Sequence, residues 1–205
     1  MKLSKRLFDI AGSGAGLLVL WPALVVMAVI VKLDGGPAFF RQTRIGRRGR
    51  PFRILKFRTM VVDAERLGPQ ITANGDRRVT SAGRWLRRTK LDELPQLVNV
   101  LVGEMSLVGP RPEVPRYVER YTPQQRRVLD ITPGLTDPAS LRYLDEGARL
   151  AAAPDPEQLY VGELMPDKIR LNLEYAESAT MASDFAVILR TIGLISRQSA
   201  IPSGA

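Results

Sequence analysis

The 205-residue chain reads as a mainly helical α+β protein with an N-terminal re-entrant membrane hairpin, and three features of the sequence predict this. Residues 10–31 are 22 in a row without a charge, with Pro22 near their middle. Apolar residues recur at helical spacing in several later segments. Short apolar pieces flank a Gly-rich basic turn, the pattern of small β elements.

As a helix, the uncharged run extends ~33 Å, enough to cross a hydrocarbon core of ~30 Å. It is too long for the apolar core of a signal peptide, and no small-x-small site follows it closely. A buried soluble helix is the plain alternative. Pro22 removes a helix hydrogen bond and crowds the preceding turn, so a bend is expected there. The flanks carry the topology: Lys2, Lys5 and Arg6 precede the run, and Lys32, Arg41, Arg44, Arg47, Arg48, Arg50, Arg53, Lys56 and Arg58 follow it, opposed by Asp34. Positive charge marks the cytoplasmic face, and here both ends ask for that face. A helix that enters, bends at Trp21-Pro22 and returns satisfies both. Gly12, Gly14 and Gly16 lack the strand and spacing of a dinucleotide fingerprint and read as small residues for close helix packing in lipid.

Beyond a membrane unit at 1–35, a catalytic domain is expected at 36–200, with a tail at 201–205. Residues 38–40 and 52–57 read as strands around a turn at 45–51. A short helix is expected over 61–67 and a loop over 68–76. Helices are expected over 80–88 and over 91–101, where Leu94, Leu97, Val98 and Leu101 keep helical spacing. The spacing predicts a further helix over 114–128, a Pro/Gly turn over 132–138, and helices over 166–177 and 184–195. Against one charge, Arg190, the last carries Phe185, Val187, Ile188, Leu189, Ile192, Leu194 and Ile195, so it suits the core or the membrane interface.

Composition limits the chemistry. The chain has no His and no Cys, which excludes disulfides, Cys/His zinc sites, thiol nucleophiles and Ser-His-Asp relays. Asp, Glu, Lys and Tyr are left as acids and bases, and a bound metal must be a hard, oxygen-ligated cation such as Mg²⁺. The net charge of +9 is uneven: residues 1–90 carry 19 cations and 5 acids, residues 91–205 carry 11 and 16. The basic half suits phosphates, anionic lipid or nucleic acid. With 6% aromatics and no ordered aromatic platform, nucleic acid is not expected as a partner.

Three segments could carry chemistry. In Arg87-Arg88-Thr89-Lys90-Leu91-Asp92-Glu93-Leu94-Pro95, adjacent carboxylates diverge by ~100° on a helix and should divide labour, with the cations keeping both ionised. An ionised Asp92 can attack phosphorus while Glu93 holds a metal. A plain helix start, with Thr89 and Asp92 as a capping box, fits the same residues. In Met105–Pro112, prolines flank Arg111 and would aim its guanidinium; a rigid turn also fits. Lys56 and Arg58 in Lys56–Met60 could meet a diphosphate, or form a charged strand edge.

In this order, these segments resemble the bacterial sugar transferases, the monotopic phosphoglycosyl transferases. The resemblance runs from Lys5-Arg6-Leu7-Phe8-Asp9 through Phe40-Arg41-Gln42-Thr43-Arg44-Ile45-Gly46, Lys56–Met60, Leu91–Leu97, Met105–Pro112 and Thr132–Thr136 to residues 171–175. It implies transfer of sugar-1-phosphate from a UDP-sugar to polyprenol (undecaprenyl) phosphate, releasing UMP and starting surface glycan synthesis. Asp92 would form a covalent phosphosugar intermediate and, with Glu93, bind Mg²⁺ or alternatively Mn²⁺, while Lys56, Arg87 and Arg111 meet the substrate phosphates. The implied setting is the cytosolic face of the bacterial inner membrane, on anionic headgroups, as monomer or homodimer, with downstream glycosyltransferases as candidate partners. The chain departs from the family at Trp21, where Ser commonly precedes the proline. It departs again at Thr136-Asp137-Pro138-Ala139-Ser140, where Gly-Trp-Ala-Gln is commoner. Its length matches a small, catalytic-core form without an added N-terminal multi-span region. The rival reading is a membrane-anchored polyanion-binding protein without catalysis. A second rival is a glycosyltransferase that moves the sugar alone and releases UDP.

Overall fold

A computed structural model describes residues 3–68 and 71–200, with side chains described as far as residue 195; the expected tail at 201–205 lies outside the described residues. The chain opens on one long helix, α1 (Leu3–Leu33), with Pro22 inside it. It runs through Pro22 as one helix. An 18-residue window within it has mean hydropathy 2.5, with 11% of the window buried.

One face of α1 lies against the rest of the protein. Gly12 and Gly16 back onto Leu107 and Leu97, where a Cβ would sit 2.7 and 3.2 Å from the leucine methyls. These glycines therefore admit close packing within the chain, and the packing in lipid expected of them is not what they serve. Further along, Met27 and Val31 share a core cluster with Phe57 and Leu86, flanked by Leu24, Ala28, Leu91 and Leu94. The opposite face leaves Leu18, Val19, Trp21, Val25, Val26, Val29 and Ile30 exposed. At the N-terminal end, Lys5 Nζ bridges Asp9 and Asp184 at 2.8 and 3.1 Å. Arg6 donates to the carbonyls of Val100 and Leu101, both at 2.6 Å. Both ends of α1 are thus tied to one body, which answers the two basic flanks in a way the sequence did not suggest.

Strands β1 (Phe39–Ile45) and β2 (Pro51–Phe57) pair antiparallel, Phe39 opposite Phe57 and Ile45 opposite Pro51. β1 is longer than the expected 38–40, because Arg41 and Thr43 lie on the exposed face while Gln42 and Arg44 point inward. The 61–67 helix shrinks to a 3₁₀ turn at Ala64–Arg66. Helix α2 (Ser81–Arg88) starts where expected, capped by Thr80, whose hydroxyl accepts from Gly83 N. Gly83 has no alternative: a Cβ there would sit 2.0 Å from the Thr59 carbonyl oxygen.

The expected 91–101 helix divides at Pro95 and Gln96 into a 3₁₀ turn, Leu91–Gln96, and α3 (Leu97–Val102). Strand β3 (Ser106–Val108) follows, and its partner β4 (Gly134–Thr136) runs parallel to it through the segment read as a turn. The single helix expected over 114–128 is also corrected. Pro123 cannot continue a helix, and a capping box between Thr122 and Gln125 starts a new one, giving α4 (Pro115–Val118) and α5 (Pro123–Arg126).

The stretch that sequence left unread folds into α6 (Pro138–Arg142), α7 (Glu146–Ala152) and α8 (Pro156–Leu159). A π-helical turn, Tyr160–Leu164, then leads into α9 (Met165–Ser178), and α10 (Met181–Ala200) ends the fold. The largest core joins α4 and the Val128 turn to α9 through Tyr117, Tyr121, Tyr160, Leu164 and Ile169. A second core, of Phe52, Ile54, Val100 and Met105, lies beneath β2 and β3.

Candidate active site

The 3₁₀ turn after Lys90 places the carboxylates. Lys90 adopts a left-handed conformation (φ 55°), which reverses the chain between α2 and the turn. Thr89 does not open the next helix, as a capping box requires. Its hydroxyl turns back to the carbonyls of Trp85 and Leu86, at 2.9 and 3.1 Å, and closes α2. Asp92 and Glu93 fall in the first turn of the new element and diverge.

Glu93 is fixed on three sides. Arg111 Nη1 and Nη2 donate to its two oxygens at 3.1 and 2.5 Å, and Lys56 Nζ reaches Oε1 at 3.1 Å. Asp92 is 7% exposed, and its Oδ1 is a buried acceptor with no hydrogen-bond partner among the described residues. The two acids therefore differ in state. Burial pushes Glu93 up, but Arg111 and Lys56 outweigh it and hold its carboxyl well below the usual range. Asp92 is raised by burial and by the neighbouring Glu93 charge, against Lys56, Lys90 and Arg87. The cations that bind Glu93, Lys56 and Arg111, come from outside the Arg87–Lys90 run expected to keep both acids ionised.

The cations come from three elements. Lys56 projects from the inward face of β2, and burial lowers its ammonium to about 8 against the pull of Glu93. Arg87, on α2, donates Nε to Thr59 Oγ1 at 2.8 Å and is lowered by burial. Arg111 leaves a loop held where two backbones touch: Gly109 N donates to Thr136 O, and Gly134 N to Pro110 O. A Cβ on Gly134 would lie 2.1 Å from Gly109 N, so only glycine permits the contact. Glu93, more than burial opposes it, raises Arg111.

Arg58 is not with them. It is buried, and its guanidinium donates to the carbonyls of Val31, Pro37 and Met60 at 2.8, 2.8 and 3.1 Å. It fastens the end of α1 to the strand behind the site. Lys5 and Arg6 anchor the other end, and Trp21 and Pro22 lie on the exposed face of α1.

Sequence reasoning missed the residues behind Arg111. Arg44 donates to Pro112 O at 3.1 Å and to Glu113 Oε1 at 3.4 Å, while Tyr160 donates its hydroxyl to Glu113 Oε2. Glu113 follows Pro112 directly, so its place was readable; Tyr160 lies in the unread stretch and gave no signal. The unusual Asp137 is the N-cap of α6, accepting from Ser140 N at 3.0 Å and Asn172 Nδ2 at 3.1 Å.

No cluster of three acidic ligands occurs among the described residues. The orphaned Asp92 oxygen beside Glu93 fits a small hard cation that takes one or two carboxylates and draws its other ligands from phosphate oxygens and water. A buried carboxylate with a free oxygen, in the field of Lys56, Lys90 and Arg87, is suited to attack on an anionic phosphorus centre.

A family model described as "Bacterial sugar transferase" matches residues 1–198. Over 93% of the chain and 68% of its own length, a UDP-glucose:undecaprenyl-phosphate glucose-1-phosphate transferase of Caulobacter vibrioides is 38% identical. The galactosyl transferase CpsE of Streptococcus agalactiae is 34% identical over 94% of the chain and 42% of its length. A second UDP-glucose:undecaprenyl-phosphate glucose-1-phosphate transferase, of Escherichia coli, is 37% identical over 93% and 40%. The chain thus spans under half of the last two relatives.

Proposed function

The chain belongs to the bacterial sugar transferase family and is a phosphoglycosyl transferase; on that premise we propose that it transfers sugar-1-phosphate from a UDP-sugar to polyprenol (undecaprenyl) phosphate. The observation that carries the reading is the asymmetric pair: Glu93 bound by Arg111 and Lys56, and Asp92 beside it, buried with a free oxygen.

In the first half-reaction, Asp92 attacks the sugar-side phosphorus. The phosphoanhydride bond breaks and UMP leaves, with the phosphosugar on the Asp92 carboxylate. In the second, an oxygen of polyprenol phosphate attacks the same phosphorus and the carboxylate departs. Its raised pKa makes the ionised Asp92 a stronger nucleophile than an exposed carboxylate. Lys56, Arg87 and Arg111 orient the diphosphate and balance its charge. Asp92 and Glu93 would hold Mg²⁺ together with the substrate, and the ion would supply neutralisation of phosphate charge. Arg58 serves by holding β2 to α1 rather than by touching substrate.

The acceptor lies in lipid, so the site must sit at a membrane surface. The exposed apolar face of α1 and the ties at both its ends support monotopic, re-entrant insertion around Pro22. The basic flanks favour the cytosolic face of the inner membrane for the residue 36–200 domain. The family match and the buried acidic pair weigh against a polyanion-binding protein without catalysis.

The test is incubation with polyprenol phosphate in lipid, Mg²⁺ and a panel of UDP-sugars. UMP is the expected product, and UDP would mean transfer of sugar alone. With donor labelled in the sugar phosphate and no acceptor, wild-type protein should retain label and Asp92→Asn none. Turnover at the wild-type rate in Asp92→Asn would exclude the covalent route.

A further inference from the structure

The loop that presents Arg111 is gripped on both sides. Before it, Gly109 and Pro110 are bonded to β4, as described above. After it, Ile45 N donates to Glu113 O at 2.9 Å, and Arg44 donates to Pro112 O. The Glu113 carboxylate ties the grip together. Its Oε1 accepts from Val114 N at 2.8 Å and from Arg44, and its Oε2 accepts the Tyr160 hydroxyl. Tyr160 belongs to the π-helical turn before α9, a distortion found frequently at functional sites.

Two prolines already stiffen this loop, so a plain turn has no need of a charged brace. Burying Arg44 and Glu113 costs desolvation that an apolar contact avoids, and Arg44 Nε is buried with no hydrogen-bond partner among the described residues. Such an arrangement is favoured where orientation matters more than stability. Arg111 is the group it orients: the brace begins at the next residue, and the Arg111 guanidinium holds both oxygens of Glu93.

We propose that Glu113, braced by Tyr160 and Arg44, is the positioning residue that aims Arg111 at Glu93 and at the substrate diphosphate. This rests on the reading of the site as a phosphoglycosyl transfer centre. It gives α9 and the preceding π turn, some 50 residues beyond Arg111 in the chain, a direct hold on the reacting groups.

Tyr160→Phe deletes the hydroxyl and keeps the ring in its core. Its expected effect is a fall in kcat of about 10- to 100-fold, the range for losing a group that orients a ligand-binding side chain. KM for the UDP-sugar should change far less, and the melting temperature should fall by no more than the few degrees that one lost buried hydrogen bond costs. In an Arg111→Ala background, the same change should cost little more, because its route runs through Arg111. A wild-type kcat in Tyr160→Phe, or an undiminished loss when Arg111 is already gone, overturns the proposal. A second readout does not depend on turnover. The ¹⁵N guanidinium resonance of Arg111, identified by its absence in Arg111→Ala, should broaden in Tyr160→Phe as the pairing with Glu93 loosens. An unchanged resonance overturns the positioning role. Failure of the wild-type protein to release UMP would instead overturn the functional reading, leaving the resonance to decide the geometry.

Discussion

Replacing Arg58 by Met separates the diphosphate contact expected from sequence from the fastening of α1 seen in the structure. The guanidinium supplies charged donors to the carbonyls of Val31, Pro37 and Met60. Val31 lies in the last turn of α1, where carbonyls have no partner within the helix. Methionine fills a similar volume and donates nothing. Each buried carbonyl left unsatisfied costs about 1–3 kcal/mol. Three of them, with some relief from water and relaxation, amount to roughly 3–5 kcal/mol. For a chain of this size each kcal/mol moves the melting point by about 2–4 °C, so a drop of about 10 °C is expected. Unfolding in detergent micelles can be followed through Trp21 and Trp85, and UMP release can be measured well below both transitions. The reasoning requires a lowered melting point with KM for UDP-sugar near wild type. An unchanged melting point with KM raised tenfold would refute it and make Arg58 a phosphate ligand.

Arg111→Ala leaves the buried Glu93 carboxylate with Lys56 as its remaining cation, so kcat should fall by about 10²–10³, as when a preorganised charge donor is removed. Glu93 is held well below its usual pKa by Arg111 first; without Arg111 its protonation comes into reach as pH falls, and the acid limb of the kcat profile should move to higher pH. Lys56, lowered by burial to about 8, loses its charge as pH rises through that value, so activity should decline there; Lys56→Arg, charged throughout, should extend the plateau to higher pH whatever its absolute rate. Gly83→Ala should prevent normal folding, visible as loss of a cooperative melting transition, because its Cβ would meet the Thr59 carbonyl at 2.0 Å.

What could be read from sequence was local. α2, β2 and α9 each announce themselves by spacing and punctuation within a few residues. The acidic pair was legible for the same reason, since both acids stand together beside a proline. β3 and β4 were not, because each is three residues long and exists only through pairing across 28 positions, at a contact that two glycines permit. The same limit hid the difference between Lys56 and Arg58. They are two residues apart and both cationic, but β2 ends at Phe57, and the next side chain turns to three carbonyls instead of the site. Nor can a run of apolar residues reveal that α1 has a second face committed to Phe57, Leu86, Leu97 and Leu107.

That commitment bears on how the protein is made. The inward face of α1 finds its partners Phe57, Leu86, Leu97 and Leu107 only once the chain beyond residue 100 has been made, so its packing waits on distant sequence. Stripping α1 away would bare Phe57 and Leu86 and leave the Arg58 bond to Val31 without its acceptor. The packing of α1 and the completion of the body behind the site are therefore one event, and a fragment without α1 would start with an incomplete core.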